Sequence, residues 1–179
     1  MQDLGAEFIP AIGVRAGANV VRRMPPMRWE FAMGLSADDR LQIHEVIALH
    51  GHLCDAGAYD RFDLVFTPDL VVDTSDLGLA PVHPDDSSRS RLDMYIAVAH
   101  RRGPGDILAF HATNVIVRED GGGARAWSKG STVNRDGSVA SYTYEDQLVR
   151  TGDGWRIRHR KISRRSEPGR GVELPIVSD

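Results

Sequence analysis

The sequence predicts an α+β domain in which N-terminal helices pack against a curved, mainly antiparallel sheet that encloses a small-molecule pocket. Three observations predict it. Apolar positions at helical spacing follow a capped start at Ser36. From Ile107 onward the pattern changes to period two. Glycine-rich turns then divide the chain at regular intervals: Asp120-Gly121-Gly122-Gly123, Arg135-Asp136-Gly137 and Thr151-Gly152-Asp153-Gly154. Helices followed by a run of hairpins point to α+β, and 179 residues suit one domain.

Ser36, with Asp39 at the third helical position, forms an acidic variant of the capping box. The stripe Ile43, Val46, Ile47, His50, Leu53, Cys54 gives a helix of roughly five turns, ending near Gly57. A second short helix is expected over Tyr59–Phe66, stopped by Pro68. Leu70–Thr74 reads as a strand and Leu77–Ser87 as a loop. Ser88–Arg102 reads as a helix with Leu92, Tyr95, Ile96 and Ala99 on one stripe. Four strands follow, at Ile107–Arg118, Ala124–Asn134, Ser138–Arg150 and Trp155–Arg164. Residues 1–34 are expected to form an irregular arm, or an upstream extension if the natural start is Met27 or Met33. Residues 35–165 form the domain and 166–179 a tail.

Composition narrows the function classes. The net charge of −3 gives no global electrostatic case for nucleic acid or membrane as partner. No apolar run approaches the ~20 residues of a membrane span. The single cysteine, Cys54, excludes a disulfide within the chain and suits a cytoplasmic location. Glycine-rich phosphate loops, Gly-x-Ser-x-Gly and Cys-x-x-Cys are all missing, so nucleotide-driven, serine-hydrolase and zinc-finger chemistries lack their motifs. His50 and His52 point about 200° apart on a straight helix and do not chelate one ion. Arg156, Arg158 and Arg160 would share a strand face. A solvated face or a subunit interface suits them better than a nucleic-acid patch, because no aromatic stacking platform is interleaved.

The chemistry-bearing residues gather at the helix end, His50, Cys54 and Asp55, and on two strands. One strand carries Phe110-His111-Ala112-Thr113-Asn114. Another presents Tyr142, Tyr144 and Asp146 on one face by period two. Asp146 is either a buried acid or a rim carboxylate paired with an arginine. Tyr144 is either a polar pocket group or core packing. Trp127 and Phe110 line the pocket or the core, and Trp155 packs.

The run Leu49–Asp55, Tyr59-Asp60, Phe66–Asp73, His111–Asn114, Tyr144-Glu145-Asp146 and Gly154–Ile157 resembles the SnoaL-like branch of the nuclear transport factor 2-like superfamily, over Leu35 to Arg164. The resemblance implies a cone-shaped bent sheet wrapped round the helices, with a deep pocket. It also implies a His–Asp dyad of the scytalone dehydratase and dehydrochlorinase kind, at His111 and Asp55. Imidazole moves protons near neutrality, and a carboxylate on its other nitrogen fixes the tautomer. The plainer alternative is a packed His111, with Asp55 bonded to His52 or to a backbone amide. Ketosteroid isomerase would place a tyrosine at His50 and its base near Thr74. Scytalone dehydratase would place tyrosines near Thr74 and Cys54. Both departures argue against those two substrates.

The expectation is therefore a cofactor-independent dehydratase, isomerase or cyclase acting on a hydrophobic cyclic molecule such as a polyketide, terpenoid or steroid intermediate. His111 and Asp55 would be catalytic. Asp146, Tyr144, His50, Trp127 and Tyr59 would bind substrate. No cofactor or metal is expected, and a homodimer or homotrimer is. The alternative is a non-catalytic small subunit or ligand-binding module of the same fold, as in ring-hydroxylating dioxygenases.

Overall fold

The structure, a computed structural model, describes residues 34–78 and 90–165. The expected arm up to residue 33, most of the expected loop (79–89) and the tail (166–179) lie outside the described residues.

Helix α1, Ala37–Asp55, begins as the capping box requires. The Ser36 hydroxyl accepts the Asp39 amide at 3.0 Å, and the Asp39 carboxylate accepts the Ser36 amide at 3.1 Å. Ile43, Val46, Ile47, Leu53 and Cys54 are buried as the stripe predicted. The helix ends at Ala56, and Gly57 takes φ +63.

The second helix is shorter than expected. Tyr59–Leu64 forms a 3-10 helix, and strand β1 starts at once, Phe66–Asp73, with Pro68 inside it. Pro68 therefore does not act as a helix stop. β1 is an edge strand, and its register breaks between Phe66 and Val71, so the missing amide of Pro68 costs no ladder bond. A second 3-10 turn, Ser75–Leu77, follows it. Helix α2, Arg91–Arg102, starts two to three residues later than expected, because Ser90 and Asp93 form a second capping box.

The hairpin series lies close to its predicted bounds: β2 Ile107–Asp120, β3 Gly123–Asn134, β4 Val139–Thr151 and β5 Gly154–Arg164. The order is β1-β5-β4-β3-β2, antiparallel throughout except for the parallel β1–β5 pair. The domain is α+β with a mixed five-stranded sheet that is not closed.

Two irregularities set which side chains face the helices. β2 bulges between Thr113 and Ile116, where Asn114 takes φ 53. β5 slips against β4, because Gln147 pairs with His159 while Leu148 pairs with Ile157, leaving Arg158 unpaired. Trp155 and Ile157 face the core before that slip, and Arg160 is buried after it. Arg156, Arg158 and Arg160 consequently do not share a face. Arg156 Nε donates to the Asp63 carbonyl at 2.7 Å, and Arg158 pairs with Asp69 at 2.9 Å. The expected row of three arginines is thus broken up.

α1 crosses β2 closely. A Cβ on Gly51 would lie 2.7 Å from the Phe110 carbonyl oxygen, so the helix reaches this depth only with glycine there. No helix among the described residues is long and apolar enough to cross a membrane.

Candidate functional site

Between the sheet and the helices lies a cavity of about 330 Å³. Val72 of β1 and Thr74 just beyond it, Phe110 of β2, Thr132 of β3, Tyr142 and Tyr144 of β4 and Ile162 of β5 form its floor. His50 and Cys54 of α1, Tyr59 and Phe62 of the first 3-10 helix, and Tyr95, Val98, Ala99 and Arg102 of α2 form its roof. The walls are aromatic: Phe62 and Tyr95 stack at 5.6 Å, and Tyr142 and Tyr144 at 6.5 Å. Such walls suit a flat ring. A larger concavity, about 520 Å³, is an open surface trough between α1 and the β4–β5 turn. The site belongs in the smaller one, because a chain of buried polar groups ends there.

That chain begins at Asp146, fully buried, whose carboxylate takes a two-pronged ion pair from Arg160 at 2.7 and 2.8 Å. Burial opposes the charge on Arg160, but Asp146 more than compensates, and its pKa is raised. The guanidinium lies 4.8 Å from the Tyr144 ring centre and 5.5 Å from that of Phe66. Its Nη1 meets His50 Nδ1 at 3.1 Å. Arginine only donates, so Nδ1 must accept. The remaining proton of the neutral ring then sits on Nε2, 3.5 Å from Cys54 Sγ. Burial, helped by the charge on Arg160, holds the His50 pKa well below its ordinary value, so the ring is neutral at pH 7.

Cys54 and three tyrosines at the cavity keep their protons. Burial pushes the Cys54 thiol up to about 12 and raises the Tyr144, Tyr95 and Tyr59 hydroxyls. Among the described residues, no aspartate or glutamate lines the cavity. It is a donor-rich chamber, matched to a ligand oxygen that accepts.

His50, Tyr144 and Tyr59 therefore stand at the cavity, where the sequence reading put them. Asp146 lies behind its wall, bound to an arginine. Trp127 is buried but does not line the cavity. It alternates with Ala126, which faces the core, and so occupies the other face of the sheet.

His111 and Asp55 are not brought together. Asp55 Oδ1 accepts the Phe110 amide at 2.8 Å, docking α1 on β2, which is the plainer alternative for that residue. His111 is exposed, because its neighbours Phe110 and Ala112 turn inward and alternation sends it outward. The residue that the sequence reading placed elsewhere is Arg160. Its signal was period two counted back from Ile162, which puts Arg160 on the inward face, masked by the slip at Arg158.

A family model for the SnoaL-like domain matches residues 36–161. The chain belongs to the SnoaL-like family. Solved structures agree on the fold. The Kfla4162 protein of Kribbella flavida is 23% identical with a TM-score of 0.57, over 71% of this chain and 90% of that one. A nuclear transport factor 2-like protein with a cystatin-like fold from Novosphingobium aromaticivorans is 21% identical, TM-score 0.60, over 74% and 85%. A protein of the same organism, named as a proposed scytalone dehydratase, is 15% identical, TM-score 0.55, over 73% and 89%. No curated protein matches the chain. The matched stretch ends at Lys161, one residue beyond the buried Arg160.

Proposed function

We propose that this SnoaL-like protein takes a hydrophobic, cyclic, oxygen-bearing small molecule into the cavity and speeds a proton transfer on it. The reaction is a dehydration, isomerisation or cyclisation of a polyketide-, terpenoid- or steroid-like intermediate. The observation that carries this reading is His50, a neutral imidazole at the cavity with Nδ1 bonded by Arg160. A fixed Nε2–H in an aromatic chamber stabilises the charge that develops on a substrate oxygen while solvent water takes the neighbouring C–H proton, and it donates to the departing oxygen when a C–O bond breaks. Tyr144 on the floor and Cys54 on the roof add further hydrogen-bond donors. The step asks for no organic cofactor. His50 here takes the place expected of His111. The neighbour named as a proposed scytalone dehydratase fits the reaction class, though its likeness is one of fold.

The test is exchange of the α-protons of 1-indanone with D2O, followed by proton NMR. Wild-type protein is expected to speed exchange over buffer. His50→Gln should lose about a hundredfold of that acceleration. His111→Ala should stay within about twofold, since the imidazole is exposed and not bonded to Asp55. Loss on His111→Ala with His50→Gln unaffected would restore the dyad and overturn this reading. A second reading, a non-catalytic ligand-binding module or small subunit, is favoured by the lack of a carboxylate among the described lining residues. It predicts that 1-indanone binds without exchange.

A further inference from the structure

Thr74 is buried, 7% exposed, at the C-terminal end of β1, and it lines the cavity. Its hydroxyl has no hydrogen-bond partner. A buried hydroxyl left unpaired costs stability, so it calls for an explanation. Local capping does not supply one. Thr74 precedes the 3-10 turn Ser75–Leu77, yet its side chain makes no capping bond, and the Ser75 amide goes to Asp73 Oδ1 at 2.9 Å. The neighbouring lining side chains Val72, Leu77 and Ile162 are apolar and cannot answer it. Because Thr74 lines the cavity, a hydroxyl free to rotate about one side-chain torsion can meet a ligand there.

The sheet register fixes where this hydroxyl stands. Asp73 pairs with Lys161, which sets Thr74 level with Ile162, and Ile162 pairs with Tyr144. Thr74 and Tyr144 are therefore two strands apart on one floor, about 10 Å between backbones. Val72 pairs with Arg160, so Thr74 stands two residues further along the chain than the level of the ion pair, separate from Tyr144 but on the same floor.

Resting on the reading that the cavity holds a cyclic oxygen-bearing molecule, we propose that its ligand carries two separate oxygen functions on one fused-ring skeleton. One is an acceptor held by His50 and Tyr144. The other is a hydroxyl or carbonyl held by Thr74, whose hydroxyl both donates and accepts. Thr74 is then a specificity-determining residue that selects the doubly oxygenated ligand from its singly oxygenated analogue.

The experiment titrates 1-indanone and 5-hydroxy-1-indanone calorimetrically into the full chain, as wild type, Thr74→Val and Thr74→Ser. Wild type should bind the hydroxylated compound about tenfold more tightly, the scale of one buried hydrogen bond. Thr74→Val keeps the shape, loses the oxygen, and should erase that preference while leaving 1-indanone unchanged. Thr74→Ser should retain it. The valine variant should melt at the same or a higher temperature, since it removes an unpaired polar atom. Equal binding of the two compounds by wild type, or equal weakening of both by Thr74→Val, would overturn this assignment and leave the His50 reading standing. Failure of wild type to bind either compound would overturn both.

Discussion

Arg160 and Asp146 form an ion pair 1% and 0% exposed, and its energetics are lopsided. Desolvating both charges consumes most of their attraction, so the pair adds little net stability, yet each partner alone would be a buried unpaired charge. Asp146→Ala is expected to cost about 3–5 kcal/mol in urea denaturation. The double change Asp146→Leu with Arg160→Leu should cost much less than the single change. Equal losses would mean that the pair is not the reason for the penalty. At this scale the sequence was partly legible. Period two placed Tyr144 and Asp146 on one face, and the helical stripe placed His50 inward. Arg160 was hidden, because the parity argument assumed a regular strand and the slip at Arg158 involves no glycine, proline or asparagine to announce it. His111 was assigned from family position. The alternation beside Phe110 and Ala112 was available and points the other way.

The docking of α1 decides the cavity's roof. Gly51 lets the helix approach Phe110, and Asp55 bonds the amide of that same residue. Gly51→Ala would gain about 1 kcal/mol of helix propensity. The new methyl meets a backbone oxygen that cannot rotate away, and overpacking of that kind costs about 1–3 kcal/mol. A net loss is expected in chemical denaturation, and stabilisation would contradict the close approach. The other end of α1 is tied to the β4–β5 hairpin. Asp39 accepts from Ser36 and from the Trp155 indole at 3.0 Å and pairs with Arg150. The Ser36 and Trp155 bonds, with Arg150, lower its pKa from the ordinary 3.8 to about 2. A lowered carboxylate pKa contributes stability that is present above pH 3.8 and lost as pH falls through about 2. Thermal melts should show that loss in wild type and a shallower one in Asp39→Asn. The first capping box is legible from its Ser-x-x-Asp spacing; the second, Ser90 with Asp93, has the same spacing, which a start placed at Ser88 passes over. The tie from Asp39 to Trp155 is not legible, since the two are 116 residues apart in sequence.

For the whole molecule, hairpin order was legible because each turn carries its own glycine chemistry. The parallel insertion of β1 beside β5 was not, because pairing across the chain leaves no local pattern. At one end of the sheet Leu108 is 57% and Val139 63% exposed, close in register through Val133. Exposed apolar side chains on β2 and β4, either side of β3, suit a homodimer or homotrimer. Sedimentation is expected to show an oligomer that Leu108→Asp with Val139→Asp weakens. A wild-type monomer at all concentrations would contradict that.

Burial, helped by Arg160, holds His50 neutral, and the bond from Arg160 leaves its proton on Nε2 at the cavity. Nitrogen-15 NMR of the histidine rings, recorded between about pH 5 and pH 8, reads both properties directly. One ring should show a protonated Nε2, a bare Nδ1 and no titration over this range, and its Nε2 signal should shift when 1-indanone is added. That ring should vanish in His50→Gln. A His50 that titrates near 6.5, or that carries its proton on Nδ1, would contradict the bond from Arg160 and the role built on it.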